Sequence, residues 1–279
     1  MTYLILTVAL MTGWNFVFRG AQKQRADMVA VCSVNYAAAT VACALVAMVS
    51  GMPAPSLMTW VIGGLMGIIY VASYLLLVPS MNCKGISVVT AFVRLSVIVP
   101  VMASVLIWGE KPGWLQALGV LGAIVSLPML TLDKGVDDGK FTRRELAIFV
   151  GLFLGNGLGL LTAKWFSKQD TPGETLYFLA ILFGASTVGS FVPWLKARPQ
   201  MRRLEWGWGM GLGLSNAGAN LVLLSALAFL PGYVVFPVNA CGGIVLTAII
   251  AAVLWREIPG RMAYAGMVVA AAALVCINM

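Results

Sequence analysis

The sequence contains no histidine. That excludes His-ligated metal sites, imidazole proton relays and His-activated nucleophiles together. Acids are scarce too: the ten Asp and Glu residues all fall in loops or at predicted helix ends. No carboxylate lies deep in an apolar run, where a proton-coupled carrier would need one. Charged residues make up 10% of the 279 positions, against about 25% in soluble domains. So few charges cannot coat a water-facing surface. No polar stretch is long enough to fold as a separate soluble domain; the longest, roughly Asp133 to Glu145, reads as a loop. The five cysteines (Cys32, Cys43, Cys83, Cys241 and Cys276) show no CxxC spacing, and four lie in or near apolar runs. They read as buried thiols. Neither a metal nor a cofactor is implied. The N-terminus has no charge ahead of its apolar run and no clear cleavage site, so it reads as a first membrane span rather than a removed signal.

What is abundant is apolar: 61% of the residues are hydrophobic. The net charge of +8 does not point to nucleic acid, because Lys and Arg cluster between apolar runs and form no basic face with interleaved aromatics. A membrane-spanning helix needs about 20 mostly apolar residues. Ten runs qualify: Thr2–Phe18, Met28–Ser50, Ser56–Val78, Gly85–Trp108, Gly113–Leu132, Leu146–Phe166, Thr175–Leu195, Trp206–Phe229, Tyr233–Trp255 and Arg261–Ile277. They are continuously apolar, whereas barrel strands alternate with a period of two, so helices are predicted. Pro53, Pro55, Pro112, Pro172, Pro231 and Pro259 fall between runs or at their starts, where a helix loses no hydrogen bond to them.

The chain repeats itself. A shift of 147 residues places Gly85 on Gly232, Val88 on Val235, Trp108 on Trp255, Glu110 on Glu257, Pro112 on Pro259, Gly113 on Gly260, Gly119 on Gly266 and Ala123 on Ala270, without a gap. The pattern W-x-E-x-P-G occurs at both sites. Residues 1–133 and 146–279 then form two five-helix halves joined by the loop 134–145. An odd number of spans per half inverts one half against the other. Inverted repeats are the architecture of many secondary transporters, with the solute held near the midplane.

The segment from Gly85 through Arg94 to Pro100, ending in Trp108-Gly109-Glu110, resembles the fourth helix of an EamA-type repeat. The segment from Gly232 through Phe236-Pro237 to Trp255-Arg256-Glu257 resembles its second copy, and Trp14-Asn15-Phe16 resembles the repeat's first helix. Over essentially its full length the chain is similar to the drug/metabolite transporter superfamily. The resemblance implies an all-α membrane protein with ten helices around a central cavity, lined mainly by spans 1, 3, 4, 6, 8 and 9. It implies solutes such as amino acids, sugars, nucleotide derivatives, metabolites or drugs, and does not choose among them. Small multidrug members carry an acid inside the first helix; this chain has none there.

Arg94 is the sharpest candidate. It lies roughly ten residues into the fourth span, about 15 Å deep at 1.5 Å per residue. A lone Arg at that depth costs several kcal/mol unless it meets water or a partner. Two readings stay open. The guanidinium faces a cavity and attracts an anionic or strongly polar solute, or it binds backbone carbonyls freed near Pro100. Trp14, Asn15, Tyr70, Tyr74, Asn156, Asn216, Asn220 and Asn239 are further candidates for solute contact. Tyr70 and Tyr74 share a helix face at i, i+4, as do Asn216 and Asn220, and the two polar stripes are expected to face each other. Each of these side chains could equally bond across helices. Glu110 and Glu257 precede the next helix and are expected to cap it. Pro100 and Pro237 lie inside spans and are candidate hinges.

These features favour a secondary-type transporter of a small polar organic solute, with a multidrug or toxic-metabolite exporter of the same fold as the alternative. A membrane enzyme would need clustered acids, His ligands or an activated nucleophile, and none is present. The expected partners are a small-molecule solute and the lipid bilayer of a bacterial inner membrane, for a chain acting as monomer or homodimer and not binding nucleic acid. With Arg94 set aside, the loops after odd-numbered spans hold fourteen Lys and Arg and the opposite side three: Lys111, Lys164 and Lys168. The positive-inside rule then places both termini outside the cytoplasm, whereas the resemblance implies termini inside.

Overall fold

The structure is a computed structural model, and it describes residues 2–84, 86–131, 142–169, 171, 173–199, 201–255 and 260–279. Gly85, Pro172, Arg256, Glu257, Pro259 and most of the connecting loop lie outside these residues. All the described regular structure is helical, in eleven segments. They are α1 (Thr2–Lys23), α2 (Met28–Val49), α3 (Leu57–Lys84), α4 (Ile86–Leu95), α5 (Ile98–Leu106), α6 (Trp114–Thr131), α7 (Arg143–Ser167), α8 (Thr175–Ala197), α9 (Arg203–Phe229), α10 (Gly232–Trp255) and α11 (Arg261–Asn278). Seven are long and apolar enough to cross a membrane, and three further apolar stretches, 91–106, 114–130 and 232–247, are shorter. Large apolar side chains stand exposed along them, with Ile5 71%, Val49 87% and Val188 75% accessible. Water would penalise such a surface at about 25 cal/mol per Å², and hydrocarbon does not.

The predicted fourth helix is not continuous. It stops at Leu95 and restarts at Ile98. Pro100 supplies the reason: a proline ring clashes with the carbonyl four residues earlier, here Ser96, and cannot donate to it. Pro100 itself then sits in the first turn of α5, where no donor is missed. Pro237 lies inside α10, which continues through it. Several helices also outrun their predicted ends, so that Arg19 and Lys23 belong to α1 and Arg203 to α9 rather than to loops.

The chain forms two compact units, each drawing on both halves of the sequence. Unit 1 comprises 1–71 and 165–228, and unit 2 comprises 72–164 and 229–279. In unit 1, α3 and α9 approach α8 and α2 closely at glycines. A Cβ on Gly67 would lie 2.5 Å from Ala185 Cβ and 2.6 Å from Leu182 O; on Gly213 it would lie 2.9 Å from Ala38 Cβ and 2.5 Å from Asn35 O. Ala38 and Ala185 are 147 apart, as are Asn35 and Leu182, while the two glycines are 146 apart. The two crossings are thus the same contact built twice, with a one-residue slip that an ungapped shift hides. The hydroxyls of Thr40 and Thr187, also 147 apart, approach to 3.4 Å.

In unit 2, Val89, Phe149 and Leu152 form a core against Leu76, Phe92 and Val93. Its α6 and α11 pack through Gly119 and Gly266: a Cβ on the first would lie 2.8 Å from Ala273 O, and on the second 2.9 Å from Met129 Cβ. Shifted by 147 residues, α2 lands on 175–196, against Thr175–Ala197 for α8, and α6 lands on the bounds of α11.

Candidate functional site

Arg94 occupies the last turn of α4, just before the hydrogen-bonded turn at Ser96 and Val97 that separates it from α5. Its position follows from Pro100, which ends the helix just beyond it. The side chain is half-buried, and its charge acts on Cys241 of α10, its partner under the 147 shift. Cys241 Sγ lies 3.5 Å from Ser126 Oγ and from Ala123 O. Two other candidates in unit 2 bear buried polar atoms. Asn239, on α10, keeps its Oδ1 buried without a hydrogen bond among the described residues. Tyr74 is 8% exposed. Asn156 donates to Leu152 O of its own helix at 2.9 Å, so that donor serves α7.

Unit 1 gathers four polar side chains into a line. Tyr70 OH donates to Asn220 Oδ1 at 3.4 Å, Asn220 Nδ2 to Asn216 Oδ1 at 2.8 Å, and Asn216 Nδ2 to Asn35 Oδ1 at 3.3 Å. The line joins α3, α9 and α2, and it meets the expectation that the tyrosine and asparagine stripes face each other for Tyr70. On α1, Trp14 stacks on Phe18 with ring centroids 5.2 Å apart. Its Nε1 is buried without a hydrogen bond among the described residues. Asn15, next to it, is half-buried.

Glu110 departs from expectation. It does not cap α6; Gln116 Oε1 accepts the Gly113 N–H there at 3.0 Å. Glu110 Oε2 instead accepts the N–H of Gly232 at 2.7 Å, at the start of α10. Its other oxygen pairs with Lys164 Nζ at 2.7 Å. Sequence reading placed Lys164 among the loop cations, but it lies in the last turn of α7 and is fully buried. Three segments distant in sequence are therefore tied by one carboxylate. A second carboxylate that the sequence did not single out, Glu174, sits at the N-cap of α8 and accepts from Ser56 N at 2.9 Å, Ser56 Oγ at 2.8 Å and the Thr59 hydroxyl. Burial pushes its carboxyl up, but these three bonds outweigh burial and hold it below the usual carboxylate range. Among the described residues no cluster of three His, Cys, Asp or Glu side chains is placed to hold a metal.

With this geometry the comparisons can be read. Residues 1–132 match the model of the EamA-like transporter family. This part of the chain is similar to that family. That family is one of membrane transporters in the drug/metabolite superfamily, and the apolar helices make the chain an integral membrane protein. The EamA-like segment holds Trp14, Asn15, Tyr70, Tyr74, Arg94 and Glu110; Asn156, Lys164, Asn216, Asn220 and Asn239 lie beyond the matched residues. One solved structure, described only as a crystal structure of a protein, is similar over 100% of this chain and 99% of its own, with a TM-score of 0.79 and 9% identity. At that identity the likeness concerns the fold alone. No curated protein matches the chain.

Proposed function

We propose that this EamA-like chain is a secondary-type transporter that moves a small polar organic solute, such as a metabolite or amino acid, by alternating access in a bacterial plasma membrane. Two inverted five-helix repeats, 1–133 and 146–279, are part of the proposal. The coincident helix bounds and the twin glycine crossings support the repeat.

One observation carries the solute reading: Arg94 is a half-buried cation at the end of a helix that stops inside an apolar run. Transporters place solute and ions at interrupted helices near the membrane midplane. The planar guanidinium fork suits a carboxylate or phosphate. Tyr70, Asn216, Asn220, Trp14, Asn15, Tyr74, Asn156 and Asn239 are the proposed secondary contacts, and Pro100 and Pro237 the proposed hinges.

The test compares Arg94→Ala and Arg94→Lys in proteoliposomes, scoring transport per folded molecule and melting temperature on the same preparations. Solute contact predicts a folded Ala variant that loses most transport and an intermediate Lys variant, which keeps the charge without the fork. A purely structural Arg94 predicts lower melting temperatures for both and little change in transport by the protein that remains folded. The second outcome would remove the reason to favour an anionic or zwitterionic solute.

A further inference from the structure

In unit 2 one helix packs on its own repeat mate. A Cβ on Gly119 of α6 would lie 2.8 Å from Ile277 N, and a Cβ on Gly266 of α11 would lie 3.1 Å from Leu130 N. Gly119 and Gly266 are 147 apart, and so are Leu130 and Ile277. Each contact is the other with the two copies exchanged. Because Gly119 meets Ile277 and Leu130 meets Gly266, α6 runs antiparallel to α11. The centre of the crossing lies midway between Gly119 and Leu130, at Ile124 and Val125. A two-fold axis through that centre exchanges the two helices. In an inverted repeat such an axis lies in the membrane plane, so a residue at its level is equally far from both surfaces.

Cys241 marks where α10 reaches this level. Its Sγ lies 3.5 Å from Ala123 O and 3.5 Å from Ser126 Oγ, and these two residues flank the centre of the crossing. The axis carries Cys241 onto Arg94, and it carries Ala123 and Ser126 onto Ala270 and Ala273 of α11. Both of these alanines are buried. Arg94 is therefore placed at the level of the axis, facing its own repeat mate, and its charge acts on that mate. Symmetry gives the midplane depth of Arg94 independently of any count along an apolar run.

Mates at this level are otherwise similar: Ala123 with Ala270 is an identity, and Ser126 with Ala273 differs by one hydroxyl. Arg94 with Cys241 is the unlike pair. A site centred on a two-fold axis meets both mates at once, so the pair sets its charge. A second arginine would repel the first in a low dielectric, and an acid would neutralise it. An uncharged thiol does neither and keeps the pair cationic. We propose that residue 241 is a specificity-determining position of the solute site: it shares the midplane centre with Arg94, and being uncharged it suits the site to a solute with one anionic group, such as a carboxylate. The inference rests on the repeat and on the solute reading of Arg94 proposed above.

The test is a double-mutant cycle on the full chain, read as melting temperature in neutral detergent. Cys241→Asp is compared with Cys241→Asn, which has nearly the same size and no charge, in the parent and in Arg94→Ala. With Arg94 present the acid meets a cation; without it the acid is stranded at the midplane. The acid should therefore lower the melting temperature by about 4 °C or more beyond its effect in the parent. Equal effects in the two backgrounds would overturn the proposal, because they would put residues 94 and 241 out of reach of each other. So would a Cys241→Asp chain that fails to fold where Cys241→Asn folds. Function is read as uptake of a radiolabelled amino-acid mixture into proteoliposomes, per folded molecule. Cys241→Asp, with its pair neutralised, should lose most of the uptake that Cys241→Asn retains. Equal uptake by these two variants would overturn the specificity role even if the melting cycle shows coupling. Full uptake by Arg94→Ala would instead overturn the solute reading of Arg94, and the melting cycle would still decide whether residue 241 faces it.

Discussion

Lys164 is a cation with no exposure, held by one carboxylate oxygen of Glu110 while the other oxygen caps α10. Breaking such a pair strands a charge in a low dielectric, at a cost of about 3–5 kcal/mol, whereas replacing both partners by apolar groups is often neutral. Lys164→Met alone should therefore lower stability by that amount. The double variant with Glu110→Leu should recover much of it, less the cap on Gly232. A double-mutant cycle in denaturant or heat measures the coupling, and additive single losses would show that the pair contributes nothing as a pair. Arg94 was legible in the sequence because a charge ten residues into an apolar run has no local explanation. Lys164 was not, because a lysine at the predicted end of a span has an ordinary one: solvation at the membrane surface. Only packing reveals that it is enclosed.

At the scale of the element, helix ends and interruptions do the positioning. The α4–α5 break places Arg94 at a helix terminus, and its cause was visible in Pro100, although a proline in an apolar run is equally compatible with a kink. Glu174 shows the opposite case. It reads as one more loop acid, yet it binds the start of α3 to the start of α8 through Ser56 and Thr59. Its folded-state carboxyl lies below the ordinary value of 4.5, so its stabilising contribution is present above that value and is lost as pH falls through the folded one. The melting temperature of the parent should fall as pH drops below the ordinary value of 4.5, and Glu174→Gln should show a flatter curve with a lower plateau near neutrality. Parallel curves for the two proteins would remove this carboxylate from the acid response.

At the scale of the whole molecule, the distribution of charge predicts topology. With Lys164 buried in an ion pair, the cation-poor side keeps only Lys111 and Lys168 from its original three. The bias toward the loops after odd-numbered spans therefore strengthens, and in a ten-span arrangement it puts both termini outside the cytoplasm. A reporter active only in the cytoplasm, fused after Met279, should be silent, and a reporter active only outside should be bright. The reverse pattern would invert the assignment.

The membrane class and the self-similarity at a 147-residue shift are readable in the sequence, because each rests on composition, run length or a fixed shift, properties of neighbouring residues or of a simple comparison. The glycines of the helix crossings were visible as small residues but not as a matched pair. Gly67 and Gly213 are offset by 146 rather than 147, and only the contacts they make with Ala185 and Ala38 reveal that they are equivalent. The partners of Glu110, Glu174 and Asn220 belong wholly to the tertiary structure. Glu110 reaches Gly232 across 122 residues and Glu174 reaches Ser56 across 118. No local periodicity encodes such pairings. They are decided when the helices pack and each buried polar group must find a hydrogen bond within reach.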